Sequence, residues 1–288
     1  MAMPDLHMLR ESLKPDCANC FGLCCVAFHY LKSEDFPIDK PAGQPCVHLA
    51  DSYACNIHSE LRERGFKGCT VYDCLGAGQF VSQVTFHGRS WREGEVDGTR
   101  MFATVPIMSQ VHELLLYITD ILTREIPGHD ARLLETLLGE LLAFRELPPE
   151  QLTGTALMAF RQQARPLFVR LSQHIRAEGV KQDGLTLTSR HEQDRADLIG
   201  RNVSQHDVRG TCYRGALLIG ANLRGKDLSY VDFMGADVRD LDVRGATLTD
   251  SLFLTDASER DERGPADETG TRLHATEPLA VTQETTSM

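Results

Sequence analysis

The sequence predicts an α+β chain in three parts: an irregular metal-stapled cysteine domain, an α-helical spacer and a short solenoid. Three observations carry this. Eight of the nine cysteines fall in the 58 residues from Cys17 to Cys74. Leucine-rich stretches at helical spacing fill the middle of the chain. From Ala196 onward an apolar residue recurs at every fifth position. The expected boundaries are 1–98 for the cysteine domain, 99–190 for the helices, 191–257 for the repeats and 258–288 for a disordered acidic tail.

Composition sets the outer limits. A chain of 288 residues holds about two domains. With 42% apolar and 25% charged residues it fits a soluble globular protein. A net charge of −11 argues against nucleic acid as a general partner, because counterion release needs a basic face. No run reaches about 18 apolar residues, so no membrane span is expected. Met1 to Glu11 lacks a basic region followed by an apolar one, so no secretory leader is expected. A cytoplasmic protein follows, in a compartment where disulfides are rare and thiols stay available to metal.

The cysteines read Cys17-x2-Cys20-x3-Cys24-Cys25, then Cys46-x8-Cys55-x2-His58, then Cys69-x4-Cys74. Such short spacings let thiolates converge on one ion without long loops closing between them. On one helix Cys17, Cys20 and Cys24 would lie within about 60° of one another; a tight knuckle at Phe21-Gly22 would serve as well. Pro45 to Leu49 and Ala54 to His58 look like two short segments around a turn at Asp51-Ser52. The candidate metal ligands are Cys17, Cys20, Cys24, Cys25, Cys46, Cys55, His58, Cys69 and Cys74. His29 and His48 are weaker candidates, and Asp35 and Asp73 read as surface carboxylates. A zinc site can supply about 10–16 kcal/mol of apparent folding energy, against about 2–4 kcal/mol for a disulfide. Disulfides and metal-free reactive thiols are the alternatives. Eight sulfurs suit two zinc sites or one iron–sulfur cluster with ligands to spare.

This segment resembles the zinc- or iron-chelating family marked by a CxxCxxxCC cluster. The matching residues are Cys17, Cys20, Cys24 and Cys25, Ser33-Glu34-Asp35, Pro45-Cys46 with Leu49, Cys55-x-Ile57-His58, and Cys69 with Cys74. The resemblance covers roughly residues 15 to 80 and implies metal binding. Arg62-Glu63-Arg64-Gly65 departs from the family, which has a proline after an arginine there, and loosens the alignment of the last two cysteines.

In the middle, Ile107, Val111, Leu114, Leu115, Ile118, Ile121 and Leu122 lie at helical spacing, as do Leu133, Leu134, Leu137, Leu138, Leu141 and Leu142. Pro127 to Asp130 separates the two helices, with Asp130 as the expected N-cap, and Gly94 to Gly98 reads as a linker. A third helix is expected over Thr155 to Glu178, kinked or split at Pro166 and ended by Gly179. The leucine stripes read as core. His112 and Glu113 form no metal motif.

The five-residue frame runs unbroken through twelve central residues: Leu198, Val203, Val208, Tyr213, Leu218, Leu223, Leu228, Phe233, Val238, Val243, Leu248 and Phe253. Asp or Asn often precedes the central residue, and Gly often follows two later. A period of five fits neither helix nor flat strand, but it fits a solenoid with one pentapeptide per side. The segment resembles the pentapeptide-repeat family, which implies a right-handed quadrilateral β-helix with the central residues inward. Four pentapeptides per coil would give three coils stacked at about 4.8 Å, a rod of roughly 14 Å. Cys212, before central Tyr213, is expected to face outward. Lys226, His206 and Arg201 occupy normally inward positions and mark irregular corners or a solvent side. Some family members imitate DNA, but eight Asp against seven Arg or Lys over 196–255 leave this rod near neutral.

The expected function is a protein-interaction module carrying a metal-binding cysteine cluster, with Zn2+ as the first expectation and iron or an iron–sulfur cluster as the second. It has a protein partner, no membrane and no catalytic centre. The alternatives are an iron-dependent redox or enzymatic factor, and a resistance or immunity protein acting through its repeats. No Ser/His/Asp set, phosphate-cradling loop or nucleotide fingerprint supports a generic hydrolase or kinase.

Overall fold

The computed structural model describes residues 3–94, 96–182, 184–203 and 206–254; the expected tail lies outside them. Seven α-helices are present among the described residues: α1 Leu6–Ser12, α2 Cys24–Ala27, α3 Lys67–Val71, α4 Ala77–Phe80, α5 Gly98–Leu122, α6 Gly128–Arg145 and α7 Gly154–Gln182.

The helix α5 is the centre of the molecule. Asp97 caps it by accepting from the Arg100 amide at 3.1 Å, so the expected linker ends in a helix start. It packs against α1, α2, α4, α6 and α7. One core runs through all of them, joining Leu9 of α1 and Leu13 just after it, Leu23, Leu75 and Val81 of the cysteine segment, and the inner faces of α5, α6 and α7. By length and composition α5 could cross a membrane. Here its apolar side chains lie inside this core, and its polar Asp120 and Glu113 hold partners there.

Two expectations about the helices are corrected. The helix α7 runs unbroken through both Pro166 and Gly179. Gly179 serves packing: a Cβ there would stand 2.4 Å from the Tyr230 ring, so only glycine lets the repeat segment come this close. Asp130 sits in the first turn of α6 rather than capping it, and its side chain accepts from Arg170 of α7 at 2.5 Å.

The expected α+β fold with a β-helix is also corrected. Helix is the regular structure of the described residues, which contain no strand or sheet. The repeats form a short C-terminal segment of turns joined by single-residue parallel bridges. The reason lies in the repeat itself. Each pentapeptide spends two residues on a turn, which leaves too little extended backbone for a ladder. The bridges do keep a spacing of twenty residues, as in Asp197 to Leu217, Leu217 to Asp237 and Asp232 to Leu252. Four pentapeptides therefore complete one circuit. The series starts at Glu192, one repeat before the apolar frame, where polar Gln193 holds the central position and hides it from the sequence.

Local chemistry explains the repeat positions. The Asp or Asn before each central residue accepts from the amide two residues on, as Asn222 does from Arg224 at 3.0 Å and Asp237 from Arg239 at 3.2 Å, closing each corner as an Asx turn. The Gly positions take φ near +60°, at Gly200, Gly215 and Gly235 among others. Among the described residues four corners lack glycine, Arg195, Tyr230, Asp240 and Asp250, all with positive φ. Three of these touch the rest of the molecule. Tyr230 covers Gly179, Asp240 pairs with Arg62 at 3.2 Å, and the Asp250 carbonyl accepts from Arg124 at 3.0 Å. A non-glycine side chain is kept at a costly backbone conformation where it makes a long-range contact.

One side of the repeat segment is fixed to the helices by buried bonds. Asp232 is fully buried and accepts from Ser172 of α7 at 2.5 Å and from Arg214 at 2.8 Å. Arg176 of α7, also buried, donates to the Gly210 carbonyl and to Glu192. The Phe253 amide donates to Asp120 of α5, and Phe253 meets the Tyr117 and Phe168 rings. This cover explains why Cys212, expected to face outward, is buried: α7 lies over that face. Arg201 and His206 are exposed, as expected of a solvent side.

Candidate functional site

The cysteine segment is built as loops pinned to the helical core. Cys17 opens a 3-10 turn that Asp16 caps, and Cys24 and Cys25 open α2, so the first four cysteines sit on two short elements rather than one helix. Between them Gly22 makes the expected knuckle. It has φ of +66°, and a Cβ would strike Leu49 at 2.6 Å. Trp91 donates to the Phe21 carbonyl and fixes the knuckle from outside. The turn after Ala50 is also as expected, with an antiparallel bridge between Leu49 and Cys55. Arg92 clamps it by donating to the Ala50 and Asp51 carbonyls while its guanidinium lies over the Tyr53 ring.

These loops surround one cavity of about 650 Å³. All nine sequence-predicted ligands line it: Cys17, Cys20, Cys24, Cys25, Cys46, Cys55, His58, Cys69 and Cys74. His29, His48, Asp35 and Asp73 line it as well, so the two aspartates face the cavity. All nine cysteines of the chain are free thiols, and none of the described ones forms a disulfide. The sulfurs of Cys24 and Cys25 lie 3.9 Å apart, and Cys20 and Cys74 flank Gly78. Among the described residues no three Cys, His, Asp or Glu side chains are close enough to hold one ion. The donors share a cavity without forming a closed coordination shell.

Electrostatics couples the sulfurs. Burial, then the neighbouring Cys24, Cys46 and Cys55, pushes the Cys69 thiol up to about 12. Burial foremost pushes Cys74 up to about 12. The Cys24 thiol is pushed well up, first by its contact with Cys25 and then by burial. Cys55 is raised by burial and by Cys46, Cys24 and Cys17. Thiols in this state are protonated at neutral pH, and a cation among them would favour the thiolates.

Several functional groups carried no signal in the sequence. Lys40 is buried beneath the cluster, and its ammonium donates to the Val26, Pro41 and Gln44 carbonyls at 3.0–3.1 Å. Burial lowers its pKa, while Cys46, Cys25, Cys24 and Cys69 act in the opposite direction. Tyr30 donates to the Cys46 sulfur at 3.2 Å and stacks on Phe36. Pro106, Ser109, Gln110 and Glu113 of α5 form a second wall, and Asp237, Val238 and Arg239 of the repeats form a third. Lysine and arginine spacing alone gives no hint of these placements, because they depend on contacts up to about two hundred residues apart, such as Arg239 with Asp35 at 3.1 Å.

The five-residue period and its Asx corners define a protein built with pentapeptide repeats, and the family of that description, Pentapeptide repeats, matches residues 214–250 in 8 copies. Over most of its length the chain is similar to "Uncharacterized protein YybG" of Bacillus subtilis (strain 168), with 41% identity over 216 residues, 75% of this chain and 69% of that protein. The chain belongs to the same family as that protein. No solved structure matches it.

Proposed function

We propose that the cysteine cavity is a metal centre for zinc or iron, and that this pentapeptide-repeat protein acts as a metal-dependent protein-interaction module. The observation that carries the reading is the convergence of eight cysteines and His58, from three separate loops, on one cavity. The donor chemistry suits the group: soft thiolates with one imidazole select zinc or iron–sulfur centres over harder cations. Cys24, whose sulfur lies 3.9 Å from that of Cys25, and Cys69, from a separate loop of the cavity wall, are the first candidates to test as ligands. Bound metal would act as a staple, linking loops that otherwise share little core. Of the chain's own groups, Tyr30 orients the Cys46 sulfur and Lys40 offsets anionic charge beneath the loops.

A second reading, an iron-dependent redox or enzymatic factor, is favoured by the size of the cavity. About 650 Å³ is the range of small-molecule sites, more than a lone ion needs. The test is metal-binding stoichiometry of the full chain against variants Cys24→Ser with Cys69→Ser, and Cys212→Ser. The first pair should abolish tight binding and the last should leave it intact. Equal binding by all would remove the cavity as the site. Affinity capture with and without bound metal then asks whether a partner depends on it.

A further inference from the structure

Cys24 and Cys25 bring two thiols into contact, with their sulfurs 3.9 Å apart. The backbone beneath the pair is pinned. Leu23 before it and Val26 after it are fully buried. The Cys25 amide donates to the Gly22 carbonyl at 3.0 Å, and the Cys25 carbonyl accepts from the Cys46 amide at 2.9 Å. Cys24 is exposed, Cys25 is half-buried, and both line the cavity. Phe28, Tyr30, Phe36, Phe66 and Tyr72 bring rings to the same cavity. Two bonds of about 2.3 Å from one atom, the length found in zinc thiolates, span a gap of 3.9 Å with a bent geometry. A closed zinc shell needs further donors, and among the described residues no third one stands close enough to share an ion with this pair.

We propose that Cys24 and Cys25 form a two-thiol site for a trivalent arsenical that carries one organic substituent. Such a compound presents two exchangeable hydroxyls on arsenic and needs no third protein ligand. Each thiol forms one As–S bond as one As–O bond breaks. The thiol protons leave with the hydroxyl oxygens as two waters. Arsenic stays trivalent, so no oxidant or reductant takes part. Soft sulfur donors select a soft acceptor of this kind. The organic substituent occupies the ring-lined space of a cavity of about 650 Å³, which a bare ion would leave unfilled. A pair fixed in advance loses little freedom when the ring closes, and its second bond forms at high effective concentration. The inference goes beyond the reading of the cavity as a zinc or iron centre. It needs only these two thiols, so either reading can fail without the other.

The experiment treats reduced, metal-free full-length protein with an equimolar amount of phenylarsine oxide. Intact mass and peptide mapping locate the phenylarsenic group, and its release by glutathione is followed over time. The expected result is one group bridging Cys24 and Cys25, held against glutathione and released by 2,3-dimercaptopropanol. Cys24→Ser and Cys25→Ser should each speed release by glutathione by about 100-fold, the effect of losing a linked second attachment. Cys17→Ser and Cys69→Ser, on other loops, should change it by no more than about twofold. Mapping on the unaltered chain does not depend on any variant folding. A group mapped to a different pair of cysteines, release from the unaltered protein as fast as from the Cys24 and Cys25 variants, or an equal effect of Cys69→Ser would overturn the proposal.

Discussion

Removing the carboxylate of Asp232 is the sharpest perturbation of the fold. Its side chain is wholly buried and accepts from Ser172 of α7, from Arg214 and from the Met234 amide. Asp232→Ala leaves the largely covered Arg214 guanidinium, 18% exposed, without this counter-charge. Losing one partner of a buried pair costs about 3–5 kcal/mol, and the Ser172 hydroxyl is stranded as well. Asp232→Asn keeps the shape and an oxygen for the Met234 amide, and should cost about 1–3 kcal/mol. Urea denaturation followed by circular dichroism measures both, and limited proteolysis shows whether the repeats detach from α7 first. A loss below about 1 kcal/mol for the alanine variant would refute the claim that this buried network anchors the repeats.

Three further outcomes follow from the same structure. His112 donates from Nδ1 to the Leu75 carbonyl at 2.6 Å, and its buried Nε2 has no hydrogen-bond partner. Burial, together with nearby Arg145, brings its pKa down to about 3 from 6.5. A depressed histidine contributes fully above the unfolded value and destabilises as pH falls below it. The fold should therefore lose about 2 kcal/mol between pH 7.5 and pH 5 from this group. A His112→Gln variant should show a flatter acid limb in a pH series of urea melts. Gly179→Ala should destabilise by about 1–3 kcal/mol despite the better helix propensity of alanine. Adding Tyr230→Ala should remove most of that penalty, and strictly additive losses would argue against the close approach. Asp240→Gly should leave thermal stability within about 1 kcal/mol, since relief of a positive φ offsets an exposed ion pair; a larger loss would mean that the corner carries more than the pair.

Much of this molecule was legible in the sequence because periodicity reports burial directly. Most leucines of α5 and α6 and the central residues from Val208 to Val243 are buried as their spacing requires, while Leu133, at the edge of the α6 stripe, is exposed. The eight clustered cysteines and His58 all line one cavity, although among the described residues no three metal-capable side chains are close enough to share an ion. What stayed hidden depended on which element covers which face. Cys212 and Asp232 share the outward position of the repeat, yet α7 buries both. Gly179 reads as a helix stop, and only the Tyr230 ring explains its presence inside α7. The resemblance to a β-helix overstated the strand content, because five-residue sides bridge one residue at a time. The third wall of the cavity came from Asp237 to Arg239, which sequence distance separates from the cysteines by more than 160 positions.

The central claim, that the cysteine cavity holds metal, is tested most directly by elemental analysis with a visible spectrum, on full-length protein purified without oxygen and without an affinity metal. Zinc at one or two per chain in colourless protein, or iron with sulfide in brown protein, lost in either case when Cys24 and Cys69 are replaced by serine, is the predicted result. Protein with reactive free thiols and no bound metal, even after anaerobic addition of zinc or iron, would contradict it.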